Sequence, residues 1–464
     1  MFYNSRYNFC FETESCHLLY NSKSGATVKL SGEDAVILGE YLIGAKRQVD
    51  PDLFDIDLFR YLAASGFIVD ASVDELLDIR ERYWKARGET PVVLTITTTM
   101  NCNLGCYYCY EERIEKKLEF KDADSIIQKL ETLFSQSNKK SLHVDWYGGE
   151  PLLNIEFMES ASLLIQEFCQ KKGINYHSSI ISNGTLWPQQ IESFLKRHKI
   201  RQVQISFDGL KENHNARRRY RKEFLSGENN SYDLTFSLVE KLLDFVTVDI
   251  RFNIDWRNKD DIFPFLDIIS ERGWFDKMYP AIFQPARLSA YSERSAFMSK
   301  KQLSIKDFDL IREKISKKLA GIGKIEESEV PDGFPFPKTF VCAALATDSF
   351  VVGADQLIYR CGLQVGETNR ATQSLQTDSN HHFSDNGFWD TFDPTISSSC
   401  SKCSFLPVCF GGCPKKHLEG DQSALDEQSE YWKNNLAQKV VTYFGLETLS
   451  KVPLTKELQF REGY

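Results

Sequence analysis

Between residues 92 and 284 the chain alternates two periods. Apolar runs of strand length occupy 92–98, 142–147, 175–181, 202–207, 246–254 and 277–283, and the stretches between them carry apolar residues at helical spacing. Strict alternation of strand and helix predicts a parallel sheet with right-handed crossovers, an α/β architecture whose ligand residues gather at the C-terminal strand ends. The first 88 residues follow another pattern. Short strands at 7–11, 16–20 and 26–30 precede a helix capped by Ser31, with Ala35, Leu38 and Leu42 on one face. A second helix at 57–65 is closed by Gly66, Phe67-Ile68-Val69 is extended, and a third helix spans 73–87. Gly88 and Pro91 mark a linker. Farther on, a lysine-rich helical pattern at 305–319 runs into the acidic stretch 326–333, whose Pro331 and Gly333 break regular structure. The domains read from these patterns are 1–88, 91–300 and 335–435, with a tail at 436–464.

A chain of 464 residues can bury several cores. Hydrophobic content of 42% and charged content of 26% are ordinary for a globular protein and argue against disorder and against a membrane protein. The net charge of −9 disfavours non-specific nucleic-acid binding. Met1-Phe2-Tyr3-Asn4-Ser5-Arg6 lacks the apolar core of a signal peptide, and no apolar run is long enough for a membrane span, so the expected address is the cytoplasm. Twelve cysteines in such a reduced compartment imply metal ligation rather than disulfides. Three fall at 102–109 and six at 342–413, while Cys10, Cys16 and Cys169 read as small buried hydrophobes.

The loop after the first strand of the alternating region reads Thr99-Met100-Asn101-Cys102-Asn103-Leu104-Gly105-Cys106-Tyr107-Tyr108-Cys109-Tyr110. Three thiolates at this spacing can hold three irons of a [4Fe–4S] cube and leave the fourth iron open. A closed zinc site needs a fourth ligand, and no other Cys or His lies within thirty residues on either side. With the aromatic Tyr108 before Cys109, the loop resembles the signature of radical S-adenosylmethionine (SAM) enzymes. The resemblance implies a partial (β/α)6 TIM-type barrel. It also implies SAM bound to the open iron through its amino and carboxylate groups, and cleavage on reduction to methionine and a 5′-deoxyadenosyl radical that abstracts hydrogen. An electron donor such as flavodoxin or ferredoxin is the implied partner.

Further residues carry the resemblance along the strand ends. Gly148-Gly149-Glu150-Pro151 is similar to the turn whose bare backbone meets the SAM amino group, a task suited to residues without side chains. Ser182-Asn183-Gly184-Thr185 resembles a Thr-Asn-Gly segment facing the SAM ribose, with Ser182 keeping the hydroxyl. Ser206-Phe207-Asp208-Gly209 ends the fourth strand, and His214-Asn215-Ala216-Arg217-Arg218 is similar to a His-Asp-x-x-Arg element, with Asn215 in place of the aspartate. Arg218 is then the candidate for the SAM carboxylate, because a guanidinium fork matches two oxygens. The run Arg217–Arg219 leaves the register open by one, and also reads as a solvated basic stretch. Asn253, at the end of the fifth strand, is a further cofactor candidate.

A second array comprises Cys342, Cys361 and Cys400-x2-Cys403-x5-Cys409-x3-Cys413. Four cysteines within fourteen residues call for a metal, and by spacing alone zinc is an alternative to iron. The order resembles the SPASM domain, which implies one or two auxiliary [4Fe–4S] clusters. In that pattern Cys342, Cys361 and Cys413 serve one cluster, and Cys400, Cys403 and Cys409 serve another with a downstream cysteine that is absent here. Ser429, His417, Asp421 and Asp426 are the candidates for that place. The segment Cys342-x18-Cys361, with Gly353 eight residues before Cys361, is looser than the usual spacing.

Together these resemblances imply an enzyme that acts on a precursor peptide or protein, similar to ribosomal-peptide maturases that install oxidative side-chain cross-links. Residues 1–88 resemble winged-helix leader-recognition modules, which add an extended peptide to a sheet edge; a packing layer is the other reading of that region. An anaerobic sulfatase maturase is the enzymatic alternative, although Gly362 stands where that family carries an aspartate. A non-enzymatic, metal-stapled peptide-binding protein is the third.

Overall fold

A computed structural model of the chain describes residues 1–31, 41–43, 48–225, 227, 230–323, 334–376 and 387–446. These form two compact units: Met1–Thr90, Asp309–Cys342 and Asp390–Tyr464 in the first, Pro91–Phe308 and Ala343–Trp389 in the second.

Among its described residues the first unit holds six strands: β1 (Phe2–Asn4), β2 (Asn8–Glu12), β3 (His17–Asn21), β4 (Thr27–Leu30), β5 (Gln48–Val49) and β6 (Ile68–Asp70). They make two antiparallel sheets in the orders β5-β1-β6 and β2-β3-β4. The helices Ile56–Ala64 and Glu75–Glu89 start where the Asp55 and Asp74 carboxylates accept from backbone amides of their first turns. One face of the β2–β4 meander, with Phe9, Phe11, Leu18 and Tyr20, shares a core with Phe334, Phe405, Val408, Leu436, Ala437, Val440 and Val441. The N-terminal strands and the run Cys400, Cys403, Cys409 and Cys413 are therefore parts of one folding unit. The tail read at 436–464 begins inside the helix Gln422–Tyr443, whose Leu436, Val440 and Val441 are fully buried. The helix expected after Ser31 falls largely outside the described residues, as does the acidic stretch 326–333; Leu42 is buried.

The second unit is built on a single nine-stranded sheet. Its strands are β7 (Val92–Thr97), β8 (Ser141–Tyr147), β9 (Asn175–Ser182), β10 (Ile200–Phe207), β11 (Thr247–Ile254), β12 (Ala281–Arg287), β13 (Phe350–Val352), β14 (Leu357–Tyr359) and β15 (Gln373–Ser374), in the order β12-β11-β10-β9-β8-β7-β13-β14-β15. From β7 to β12 all pairs are parallel and consecutive, as the alternating periods predict. The sixth strand starts four residues later than expected. Met278 is 86% exposed in the loop before it, and pairing with β11 begins at Val248 opposite Ala281. The strands β13 to β15 escaped the sequence reading because runs of two or three residues carry no period. They place residues 343–389 on the edge of the large sheet rather than in one domain spanning 335–435.

Within the large sheet the two faces differ in chemistry. On β8, Leu142, Val144 and Trp146 are fully buried, while His143, Asp145 and Tyr147 are half-buried on the opposite face. That second face continues through Gln204 opposite Asp249 and Ser206 opposite Arg251. A sheet packed dry on both sides would read as continuous apolar runs, so this alternation marks a polar interior face leading to the C-terminal strand ends.

Candidate functional site

The cysteine loop leaves the C-terminal end of β7 and is clamped from two sides. On one side the Gly149 amide donates to the Thr99 carbonyl at 3.0 Å and the Glu150 amide to the Asn101 carbonyl at 3.0 Å. On the other, Gly105 N–H donates to Arg219 O at 2.6 Å and Arg221 N–H to Asn103 O at 2.9 Å. Gly148 sits at φ +142°, and a Cβ there would lie 2.5 Å from the Thr99 oxygen. The Gly-Gly pair thus lets two backbones meet, a demand separate from any ligand.

Burial comes first among the causes that push the Cys102 and Cys109 thiols up, Cys109 to about 11, with the Cys106 thiol adding in both cases. Three thiolates so placed need a cationic centre to exist together, which is what an iron–sulfur cube supplies. Among the described residues no three His, Cys, Asp or Glu side chains converge on a single-ion site.

Glu150 is fully buried. Its carboxylate accepts from the Ser182 hydroxyl at 3.0 Å, the Asn183 amide at 2.7 Å and the Leu152 amide at 3.2 Å, and burial pushes its pKa up to about 7. The sequence places Glu150 and Ser182 among the cofactor contacts; in the structure their side chains brace the turns after β8 and β9. Asn183 donates to Asn103 Oδ1 at 2.7 Å and lies 3.8 Å from Cys102 Sγ, so the turn after β9 touches the cysteine loop directly. Thr185 Oγ1 closes this arrangement by accepting from Asn103 at 2.8 Å. Ser206 is half-buried on the polar face of β10.

The centre of the site is Asp208, which is fully buried at the end of β10. It accepts from the Tyr108 hydroxyl at 2.8 Å, from Asn253 at 3.1 Å and from Arg217 Nε at 3.1 Å. Burial works to raise its pKa, but the guanidinium groups of Arg218 and Arg217 outweigh that and hold it below the usual carboxylate range. Arg217 also donates to both Asp255 oxygens at 2.9 Å and to the Tyr107 hydroxyl at 3.0 Å. Arg219 is exposed. Arg218 is buried like Arg217; its Nη1 donates to Tyr108 at 2.9 Å and lies 3.6 Å from Asp208, and its Nε has no hydrogen-bond partner, whereas Arg217 keeps one such nitrogen, Nη2, but commits Nε and Nη1 to Asp208 and Asp255. A buried guanidinium with a donor still to satisfy suits an anion, and of the two that have one Arg218 is the less committed to protein carboxylates. Asn215 accepts from the Ser231 hydroxyl at 3.0 Å and the Tyr232 amide at 2.9 Å, which fixes the start of the helix Ser231–Leu242. An aspartate is not needed for that.

Sequence reasoning missed Tyr107 and Asp255. Tyr107 carries no role in the sequence reading, yet its hydroxyl bonds Asp255 and its ring packs under Arg217 at 5.3 Å. The available signal was the Asn253-Ile254-Asp255 ending of the fifth strand, one acid beyond the candidate amide.

In the first unit burial is the leading cause that pushes Cys403 up to about 12 and Cys409 to about 11, and the neighbouring Cys400 adds to both. The turn Phe410-Gly411-Gly412 has φ of +51°, +76° and +82° and directs the chain away before Cys413, whose amide donates to Gln428 at 3.2 Å. His417 Nε2 lies 2.7 Å from the Gly411 carbonyl and Asp421 pairs with Lys416 at 2.8 Å, so both candidate substitutes for the absent cysteine have other partners. Ser429 and Asp426 lie on the helix Gln422–Tyr443. Cys342 belongs to the first unit and Cys361 to the second. All twelve cysteines are outside disulfides.

Residues 96–250 match the Radical SAM superfamily. The chain is 24% identical over 368 residues to the cysteine-type anaerobic sulfatase-maturating enzyme of Clostridium perfringens, across 70% of this chain and 89% of that one. Among solved structures, anSMEcpe with bound AdoMet and Kp18Cys peptide matches with a TM-score of 0.55 at 19% identity, over 77% of this chain and all of that one. Streptococcus suis SuiB bound to precursor peptide SuiA matches with a TM-score of 0.50 at 16% identity, over 89% and 95% of the two chains. At these identities the structural likeness is one of fold.

Proposed function

From the radical SAM domain that this chain carries, we propose that it is a peptide maturase whose product is an oxidative side-chain cross-link. The observation that carries the reading is the cysteine loop held between Gly148-Gly149 and Arg219–Arg221, with the unsatisfied Arg218 guanidinium beside it. When bound, the cluster and SAM supply the hydrogen-abstracting radical. The chain's own residues do the rest. Cys102, Cys106 and Cys109 hold the cluster, Gly149 keeps the turn flush against the loop, and Arg218 takes an anionic group of SAM. Tyr108, Asp208, Asn253 and Arg217 lock Arg218 in place. Cys400, Cys403 and Cys409 hold an auxiliary cluster in this reading. Residues 1–88 receive the leader of the precursor, and a reduced carrier protein supplies electrons. The peptide complexes formed by anSMEcpe and SuiB support a peptide substrate. Among the described residues no helix is long and apolar enough to cross a membrane.

Conversion of a target Cys or Ser to formylglycine is the second reading, favoured by the alignment to the sulfatase-maturating enzyme over 70% of this chain. Gly362, directly after Cys361, offers no side chain for proton transfer and weighs against it. Mass spectrometry of a precursor peptide after anaerobic turnover decides. Loss of two hydrogens with fragmentation suppressed between two residues supports the cross-link. A product trapped by hydrazine as an aldehyde overturns it in favour of formylglycine.

A further inference from the structure

Beside the network around Asp208, the loop after β11 and the segment Glu293–Lys300 build a surface of exposed aromatics and cations. Trp256 is 50% exposed and Phe297 42%, unusually open for side chains of their size. Lys259 Nζ lies 4.5 Å from the Trp256 ring. Lys301 Nζ lies 5.1 Å from Phe297 and 4.8 Å from Tyr107, and its carbonyl accepts from the Trp256 amide at 3.3 Å, so the two segments form one patch. Arg257 covers Tyr107 from 5.8 Å. Of the acids here, Asp255 is occupied by Arg217 and Asp261 accepts from the Leu210 amide and Asn213, which leaves Asp260 and Glu293 against Arg257, Lys259, Arg294, Lys300 and Lys301. A cationic patch of this kind stands out on a chain of net charge −9.

Its position gives it a meaning. Tyr107 lies between Cys106 and Cys109, so whatever covers Lys301 and Arg257 sits over the span linking two proposed cluster ligands. On the reading above, the oxidised cluster must be primed by one electron from outside before SAM cleavage can begin, bond formation in the substrate then releasing one electron for each that cleavage consumes, and a carrier is effective only where its cofactor comes close. We propose that the Trp256–Lys259–Lys301 patch is the docking surface for an acidic one-electron carrier protein of the flavodoxin or ferredoxin kind. The aromatics give contact area, the cations steer the acidic partner, and one electron passes from the reduced carrier to the oxidised cluster with no other bond made or broken.

The test uses anaerobic stopped-flow bleaching of the cluster in the full-length, reconstituted protein, with reduced flavodoxin or with dithionite as donor. In the parent, the flavodoxin rate falls steeply with salt. In the K259E/K300E double variant it drops on the order of tenfold at low ionic strength and loses its salt dependence, while the dithionite rate is unchanged. A flavodoxin rate unaffected by the two reversals overturns the docking surface alone. Equal slowing with both donors overturns it as well, because the cluster environment rather than the partner contact has then been altered. Loss of peptide turnover with flavodoxin reduction intact assigns the patch to the substrate and overturns the proposal. A parent that dithionite cannot bleach overturns the cluster reading itself.

Discussion

Gly149 and Asn101 meet backbone to backbone: a Cβ on Gly149 would lie 2.3 Å from the Asn101 carbonyl oxygen, 2.7 Å from its carbon and 3.1 Å from Cys102 Cβ. No flexible side chain is available to yield, so Gly149→Ala must displace the cysteine loop itself. The expected result is destabilisation of about 1–3 kcal/mol, with loss of iron from the Cys102–Cys109 site. Gly88→Ala serves as the contrast, because nothing lies within 4 Å of its Cβ position and it sits in a helix. That variant should be neutral or slightly more stable. Iron content and thermal unfolding of the two proteins check the pair, and a G149A protein with full iron and parental stability would refute the argument.

Adjacent arginines should fail in different ways. Arg217→Ala leaves the buried carboxylate of Asp255 without its guanidinium and Asp208 with Arg218 alone at 3.6 Å, and breaking buried pairs of this kind costs about 3–5 kcal/mol. Arg218→Ala removes a guanidinium that makes one hydrogen bond, to Tyr108, and one longer ion pair, to Asp208 at 3.6 Å, while Asp208 keeps Arg217 at 3.1 Å. Its main effect should be on SAM affinity, weakened roughly ten- to a hundredfold. Denaturant melts and equilibrium dialysis with labelled SAM separate the two. If R217A loses SAM while keeping its stability, the roles assigned here are exchanged.

His214 sets an acid limit on the second unit. Its ring is fully buried against Phe207 and Tyr232 with both nitrogens unpartnered. Burial foremost, with Arg218 and Arg217 adding and Asp208 opposing, lowers its pKa to about 3. The unfolded histidine has pKa ~6.5. Between those values the unfolded chain holds a proton that the folded chain lacks, so stability declines as pH falls from about 6.5 toward 3 and is indifferent above. The decline approaches ~1.4 kcal/mol per pH unit. His214→Phe keeps an aromatic ring and removes the proton site. Urea unfolding at about pH 7.5 and about pH 5.5 should show a smaller acid loss in the variant than in the parent; equal losses would contradict the assignment.

The parts of this architecture that sequence reveals are those governed by local period and local spacing. The parallel strands from Val92 to Ile254 follow their apolar runs, and the cysteine loop stands out by its spacing and its place after β7. What sequence hides is set by contacts distant along the chain. Glu150 looks like an open acid beside two glycines, yet its partners are 32 and 33 residues away. Asp255 reads as a strand-end acid until Arg217, 38 residues back, is seen to grip it. The three-residue strand β13 pairs with β7 across more than 250 residues, and nothing in Phe350-Val351-Val352 announces that partner. In the first unit, Phe9 and Val440 share a core that no linear boundary at residue 88 could suggest.

That shared core decides how leader recognition by residues 1–88 must be tested. Removing them takes Phe9, Phe11, Leu18 and Tyr20 from a cluster completed by Phe405, Val408, Leu436 and Val440. At ~1.5–3 kcal/mol for each buried side chain, the four together contribute on the order of 6–12 kcal/mol, comparable with the whole stability of a typical domain. The truncation also cuts the hydrogen bonds that hold the second cysteine array. Ser404 Oγ donates to the Arg6 carbonyl at 2.9 Å, Ser22 Oγ donates to the Ser404 carbonyl at 2.6 Å, and Arg6 donates to the Ser401 carbonyl. Each contact brackets Cys403 or Cys400 within a few residues. Deletion of 1–88 is therefore expected to abolish iron binding at Cys400, Cys403 and Cys409, while iron at Cys102, Cys106 and Cys109 and the SAM cleavage it supports persist. Loss of precursor turnover in that protein would report a missing array and leave leader binding undecided. Point changes on exposed positions such as Tyr61→Ala and Leu77→Ala, 47% and 45% exposed, leave the core alone and are the proper probes of leader affinity. Iron analysis of the truncated chain settles the structural claim: a full complement of auxiliary iron without residues 1–88 would show that the array folds independently of the N-terminal strands.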